Sequence, residues 1–75
     1  MPRTGQPAIR QVAAVQRAVS VLDALSDADV AELGTNEIAR RTGINASTVS
    51  RLLATLADGG LVEHIPENGR YRLGL

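Results

Sequence analysis

Apolar residues recur at steps of three and four between Gln11 and Ser26: Val12, Val15, Val19, Leu22 and Leu25. That spacing predicts an amphipathic helix. Ala14, Ala18 and Val21 widen its apolar face beyond one stripe. Most of this face is expected to be core, although its surplus of Ala and Val also suits a dimer partner. Before it, MPRTGQPAI carries two prolines and a glycine without any period, and residues 1–9 are read as a disordered arm. Asp27-Ala28-Asp29 breaks the helical pattern, and Val30 to Leu33 reads as a short strand or an irregular link. Gly34-Thr35 opens a second helix, with Thr35 as the expected N-cap and Glu37 favouring the dipole of the first turn. Ile38, Ala39 and Thr42 form its inner side, and Gly43 ends it. Asn45 is placed to cap a third helix, Ala46 to Asp58, which Gly59-Gly60 stops.

The pattern then changes period. Leu61 to Ile65 and Arg70 to Leu73 flank Pro66-Glu67-Asn68-Gly69, a strong turn signal because Asn-Gly tolerates positive φ. In the second strand Tyr71 and Leu73 alternate with Arg70 and Arg72, predicting one apolar and one cationic face. The expected fold is mainly α with a small β-hairpin (α+β): three helices, then a two-stranded wing. Residues 10–75 are read as one domain, since 75 residues leave room for no more.

Two short helices joined through a glycine turn are the helix-turn-helix arrangement. Ala39 must be small where the helices cross. Gly43 takes the reversal. Ile38, Ile44, Val49 and Leu52 are expected to fill the wedge between the helices. On a wheel at 100° per residue, Val49, Leu52, Leu53 and Leu56 of the third helix cluster on one side. Ser47, Arg51 and Ala54 lie opposite, with Ser50, Thr48 and Thr55 on the shoulders. The outer face is small, polar and singly cationic, and such a face can enter a major groove without steric conflict. Hydroxyls donate to phosphates or base edges, and arginine is the commonest bidentate partner of guanine.

Charge refines this picture. The net charge is zero, yet residues 1–20 hold Arg3, Arg10 and Arg17 with no acid. Residues 21–34 hold Asp23, Asp27, Asp29 and Glu32 with no base. There is no lysine, so every cation available for phosphate is a guanidinium. Arg70 and Arg72 on the wing, Arg40 or Arg41, and Arg10 or Arg17 are phosphate candidates. Arg40 and Arg41 point about 100° apart, so one at most faces a duplex and the other is free to pair with Glu37. Helix-start capping is the alternative role for Ser47, Thr48 and Ser50, and solvation the alternative for Arg70 and Arg72. The candidate DNA-contacting set is Thr35, Arg40, Asn45, Ala46, Ser47, Thr48, Ser50, Arg51, Thr55, Arg70 and Arg72. Tyr71 is assigned to the core and His64 to the hairpin without a ligand role.

The segment GTNEIARRTGINASTVSRLLATLADGGLVEHIPENGRYRLGL resembles the N-terminal DNA-binding domain of the IclR family of bacterial transcriptional regulators, and AVQRAVSVLDAL resembles that family's first helix. The most specific pieces are STVSRLLATL and the closing GRYRLG. The resemblance implies a winged helix-turn-helix, a homodimer on a pseudo-palindromic operator of double-stranded DNA, and a small-molecule effector domain that lies outside this chain. No cofactor or metal is expected, and with no cysteine no thiolate site is available. No nucleophile–base set or phosphate loop is recognisable, so an enzyme is not expected. Without a signal peptide or an apolar span the cytoplasm is the default location. A winged helix used only for protein–protein contact is the competing reading.

Overall fold

The computed structural model describes residues 11–27, 29 and 31–75. The arm expected over residues 1–9, together with Arg10, lies outside the described residues. The elements run α1 (Ala13–Asp27), α2 (Thr35–Thr42), α3 (Ala46–Asp58), β1 (Val62–Ile65) and β2 (Arg70–Leu73). This is the expected order of helix, helix, helix and hairpin.

Each junction has a local cause. Gly34, not Thr35, is the N-cap of α2, in extended backbone. Thr35 is already helical, so its hydroxyl cannot play the cap. The Glu37 carboxylate takes over by accepting from the Gly34 N–H at 3.0 Å, which satisfies one orphan donor of the first turn. Gly43 ends α2 at φ 73°, in the left-handed region where a Cβ is penalised, and its N–H donates to Ala39 O. Thr42 locks the same turn: its hydroxyl donates to Ile38 O at 2.8 Å and accepts from the Ile44 N–H at 3.2 Å. Asn45 then starts α3, its Oδ1 accepting from the N–H groups of Ser47 at 2.8 Å and Thr48 at 3.4 Å. Gly59 and Gly60 stop α3, the latter at φ 80°.

The hairpin is antiparallel, with Val62 opposite Leu73, Glu63 opposite Arg72, His64 opposite Tyr71 and Ile65 opposite Arg70. Leu33 joins its free edge. The Leu33 N–H donates to Tyr71 O at 2.9 Å, and the Tyr71 N–H donates back to Leu33 O at 2.8 Å. The link before α2 therefore contributes one residue of strand pairing. It also ties the wing to the helices, because the Leu33 side chain is fully buried. At the base of the wing, beside the end of α3, Gly74 N–H donates to Leu61 O at 2.9 Å. A Cβ on Gly74 would come within 2.8 Å of the Gly60 carbonyl oxygen, so the strand can lie there only as glycine without a backbone shift.

The core is Val21, Leu25, Leu33, Ile38, Val49, Leu53, Leu56 and Val62. Of the expected wedge, Ile38 and Val49 are buried, whereas Ile44 and Leu52 pack half-buried against it. Tyr71 is likewise half-buried, its ring 5.0 Å from that of His64. The first helix departs from expectation. Its core side is Ala18, Val21, Leu22, Ala24 and Leu25, while Val12, Val15 and Val19 remain 63%, 59% and 50% exposed. The helix is apolar around most of its circumference, so periodicity alone does not choose the buried side. The choice falls to where α2, α3 and β2 pack against α1.

Candidate nucleic-acid interface

Helix α3 presents the face that the wheel predicts. Val49, Leu53 and Leu56 are buried, and Ser47, Ser50, Arg51, Ala54 and Thr55 are exposed. Three buried apolar residues over two turns fix the helix to the body, so its outer side chains move with the domain. Thr48 and Ala46 are half-buried. Two hydroxyls and one amide are partly committed. Asn45 Oδ1 is occupied by the helix start and also accepts from the Ser47 hydroxyl at 2.6 Å. The Thr55 hydroxyl donates to Arg51 O at 3.1 Å, a bond internal to the helix. Arg51 itself enters neither of the ion pairs formed among the described residues.

Those pairs involve the wing, and they change the role of its arginines. Arg72 Nε donates to Glu63 Oε1 at 2.8 Å across the hairpin, and this bond raises the Arg72 pKa above its ordinary value. Arg70 lies half-buried with a guanidinium nitrogen 3.9 Å from Glu37 Oε1. The expected cationic face is thus partly neutralised by acids of the same domain. Arg70, rather than Arg40 or Arg41, is the ion-pair partner of Glu37. The Glu37 carboxyl is held below its ordinary value of 4.5, first by the hydrogen bond from the Gly34 N–H, with Arg70, Arg40 and Arg41 adding to it and partial desolvation opposing. Arg41 instead lines an open groove of about 350 Å³ with Asp23 and Asp27 of α1. Arg40 is exposed and Thr35 half-buried on α2. The turn of the wing is braced by Asn68, whose Nδ2 donates to Glu32 at 2.8 Å and whose Oδ1 accepts from the Arg70 N–H at 2.9 Å.

One grouping is invisible in the sequence. Arg17 of α1 shares a notch of about 220 Å³ with Ala14 and with Thr48, Arg51, Leu52 and Thr55 of α3. No group of three potential metal ligands occurs among the described residues, and no helix there is long and apolar enough to cross a membrane.

Residues 14–66 match the IclR helix-turn-helix domain, well over half of the chain. The chain belongs to the IclR family. A relative from Escherichia coli (strain K12), the HTH-type transcriptional regulator XynR, is 38% identical over 64 residues, covering 85% of this chain and 25% of that protein. An IclR transcriptional regulator from Alicyclobacillus acidocaldarius superposes with a TM-score of 0.82 at 38% identity, over 88% of this chain and 26% of that one. An IclR family regulator from Brucella abortus gives 0.81 at 35% identity, over 88% and 25%. The chain thus spans about a quarter of the length of these regulators. The three helices and antiparallel hairpin are the winged helix-turn-helix of the IclR family. The match through residue 66 ends in the wing turn, so β2 with Arg70 and Arg72 lies beyond it.

Proposed function

We propose that this IclR domain binds double-stranded DNA in a sequence-specific manner, with α3 in the major groove and the hairpin as a wing. The observation that carries this reading is the split of α3 into a buried apolar side and an exposed side of Ser47, Ser50, Arg51, Ala54 and Thr55. A helix held on one side and lined on the other by small polar groups fits a groove about 12 Å wide. In helix-turn-helix readers the start of the second helix meets the bases. That assigns base contact to Ser47 and Ser50, with Ala46 and Thr48 close by. Asn45 acts mainly as the cap that orients them, with its amide nitrogen left to donate. Thr35 and Arg40 on α2, and Arg70 and Arg72 on the wing, are assigned to phosphates. The wing arginines first exchange Glu37 and Glu63 for DNA.

The same reading places two copies on a pseudo-palindromic operator, with the exposed Val12, Val15 and Val19 as surface available for pairing. It leaves small-molecule sensing to a part of the full-length regulator outside this chain.

The test is a binding titration over a salt series. The duplexes are one enriched from a random pool by this protein and an unenriched duplex of equal length. The logarithm of the binding constant should fall linearly with the logarithm of salt, by about 0.9 per phosphate contacted, and the enriched duplex should bind more tightly. Salt-insensitive or absent binding to both would sink the proposal in favour of a protein-contact module.

A further inference from the structure

We propose that the notch between α1 and α3 seats one phosphate of the DNA backbone between Arg17 and Arg51. Arg51 is then a positioning contact rather than a guanine reader. The inference rests on the DNA-binding reading above and makes it more specific.

The outer surface of α3 has two shoulders. Measured around the helix from Arg51, Thr55 and Thr48 lie about 40° and 60° to one side, and Leu52 about 100°. Ser47, Ala54 and Ser50 lie about 40°, 60° and 100° to the other. Thr48, Arg51, Leu52 and Thr55 are the α3 residues that line the notch with Arg17 and Ala14 of α1. Arg51 therefore leans toward α1, and the opposite shoulder with Ser47 and Ser50 is the one clear of it.

The notch has the chemistry of an anion seat. Its two ionisable members are both guanidinium groups. Neither enters the ion pairs formed among the described residues, Arg70–Glu37 and Arg72–Glu63. All the acids of the chain lie at Asp23 or later, so the N-terminal half of α1 brings none to the site. Two like charges around one small cavity are best relieved by an anion held between them, which a neutral base edge cannot replace. Phosphate offers several acceptor oxygens to the guanidinium forks. The hydroxyls of Thr48 and Thr55 add donors or acceptors at the same opening. Ala14 adds no bulk, so the cavity stays open to a group of that size.

The experiment compares the wild-type chain with Arg17→Gln, Arg17→Lys and Arg51→Gln on the enriched and unenriched duplexes. Arg17 is exposed, so thermal unfolding should confirm an intact fold for each variant. Arg17→Gln and Arg51→Gln should each weaken both duplexes by about the same factor, roughly tenfold for one charged hydrogen-bonded contact. The preference between duplexes should be kept, and the salt slope should drop, reaching about 0.9 below wild type once both arginines are replaced. Arg17→Lys should retain the slope. A scan with single neutral methylphosphonate linkages should find one position that weakens wild type most, weakens Arg17→Gln and Arg51→Gln less, and leaves the double variant Arg17→Gln with Arg51→Gln unchanged. Wild-type affinity and slope in Arg17→Gln would overturn the proposal. So would loss of preference at one base pair in Arg51→Gln with the slope intact. In both cases the wild type still binds DNA, and the broader reading survives. A wild type that binds neither duplex removes both.

Discussion

At the scale of single residues, Asn45 does more than any other polar side chain near α3. One carboxamide oxygen gathers two backbone N–H groups and the Ser47 hydroxyl at the first turn. Replacing it with Ala should cost about 1 kcal/mol, and replacing it with Ser much less, because Ser is also a good cap. In a domain this size 1 kcal/mol corresponds to about 4–8 °C in the melting temperature, readable by circular dichroism. An unchanged melting temperature for Asn45→Ala would show that the cap does not hold α3. The cap was legible in the sequence because it is local: the residue, its acceptor and its donors lie within four positions. The sequence points to Thr35 instead of Gly34 at the start of α2 for an equally local reason. Both Gly34 and Thr35 suit an N-cap, and the glutamate three residues beyond Gly34 decides between them by reaching back to the Gly34 N–H. Arg17, Arg70 and Arg72 were not legible as they stand, since their surroundings come from residues up to 38 positions away.

At the scale of elements, the start of α2 and the wing are coupled through Glu37. It accepts from the Gly34 N–H and lies beside Arg70 of β2. Its pKa is lowered in the folded state, so between the folded value and the ordinary 4.5 the unfolded chain binds more protons. The contribution of the charge to stability is therefore fully present above that ordinary value. It is lost as pH falls through the folded value. Glu37→Gln keeps an acceptor and removes the charge. The stability difference between wild type and Glu37→Gln should be constant from pH 6 to 8 and shrink below the usual carboxylate range. Urea unfolding at a series of pH values measures it, and a difference independent of pH down to pH 3, about a unit and a half below the usual carboxylate value, would refute the coupling. The element boundaries themselves follow sequence signals where those are strong. Gly43 and Gly59-Gly60 end α2 and α3 as expected, and the wing strands form within a residue of the expected ranges. The strand-like pairing of Leu33 with Tyr71 was open in the sequence. A single residue carries no period, and its partner lies 38 positions on.

At the scale of the whole molecule, most of the exposed large apolar side chains among the described residues lie at α1, with Leu73 and Leu75 beyond the wing turn. Val12, Val15 and Val19 form a continuous stripe on turns that extend past the core. Three partly exposed valines cover far less than the roughly 800 Å² per partner of a standard interface. If this stripe pairs two copies, it does so weakly in the chain alone. The domain should then gain most on DNA carrying two half-sites, where the second binding event becomes intramolecular. Val15→Gln with Val19→Gln separates this role from stability. Both positions are exposed, and Gln has a helix propensity at least as good as Val, so the melting temperature should stay the same or rise slightly. Affinity for a duplex with a single half-site should also be unchanged, because the stripe is on the part of α1 outside the α3 notch. Affinity for the paired half-sites should fall toward the single-site value, and sedimentation velocity at high concentration should show less self-association. If the paired-site advantage survives the double substitution, the copies meet through another surface, and the valines are simply solvent-facing positions that a small core left uncovered.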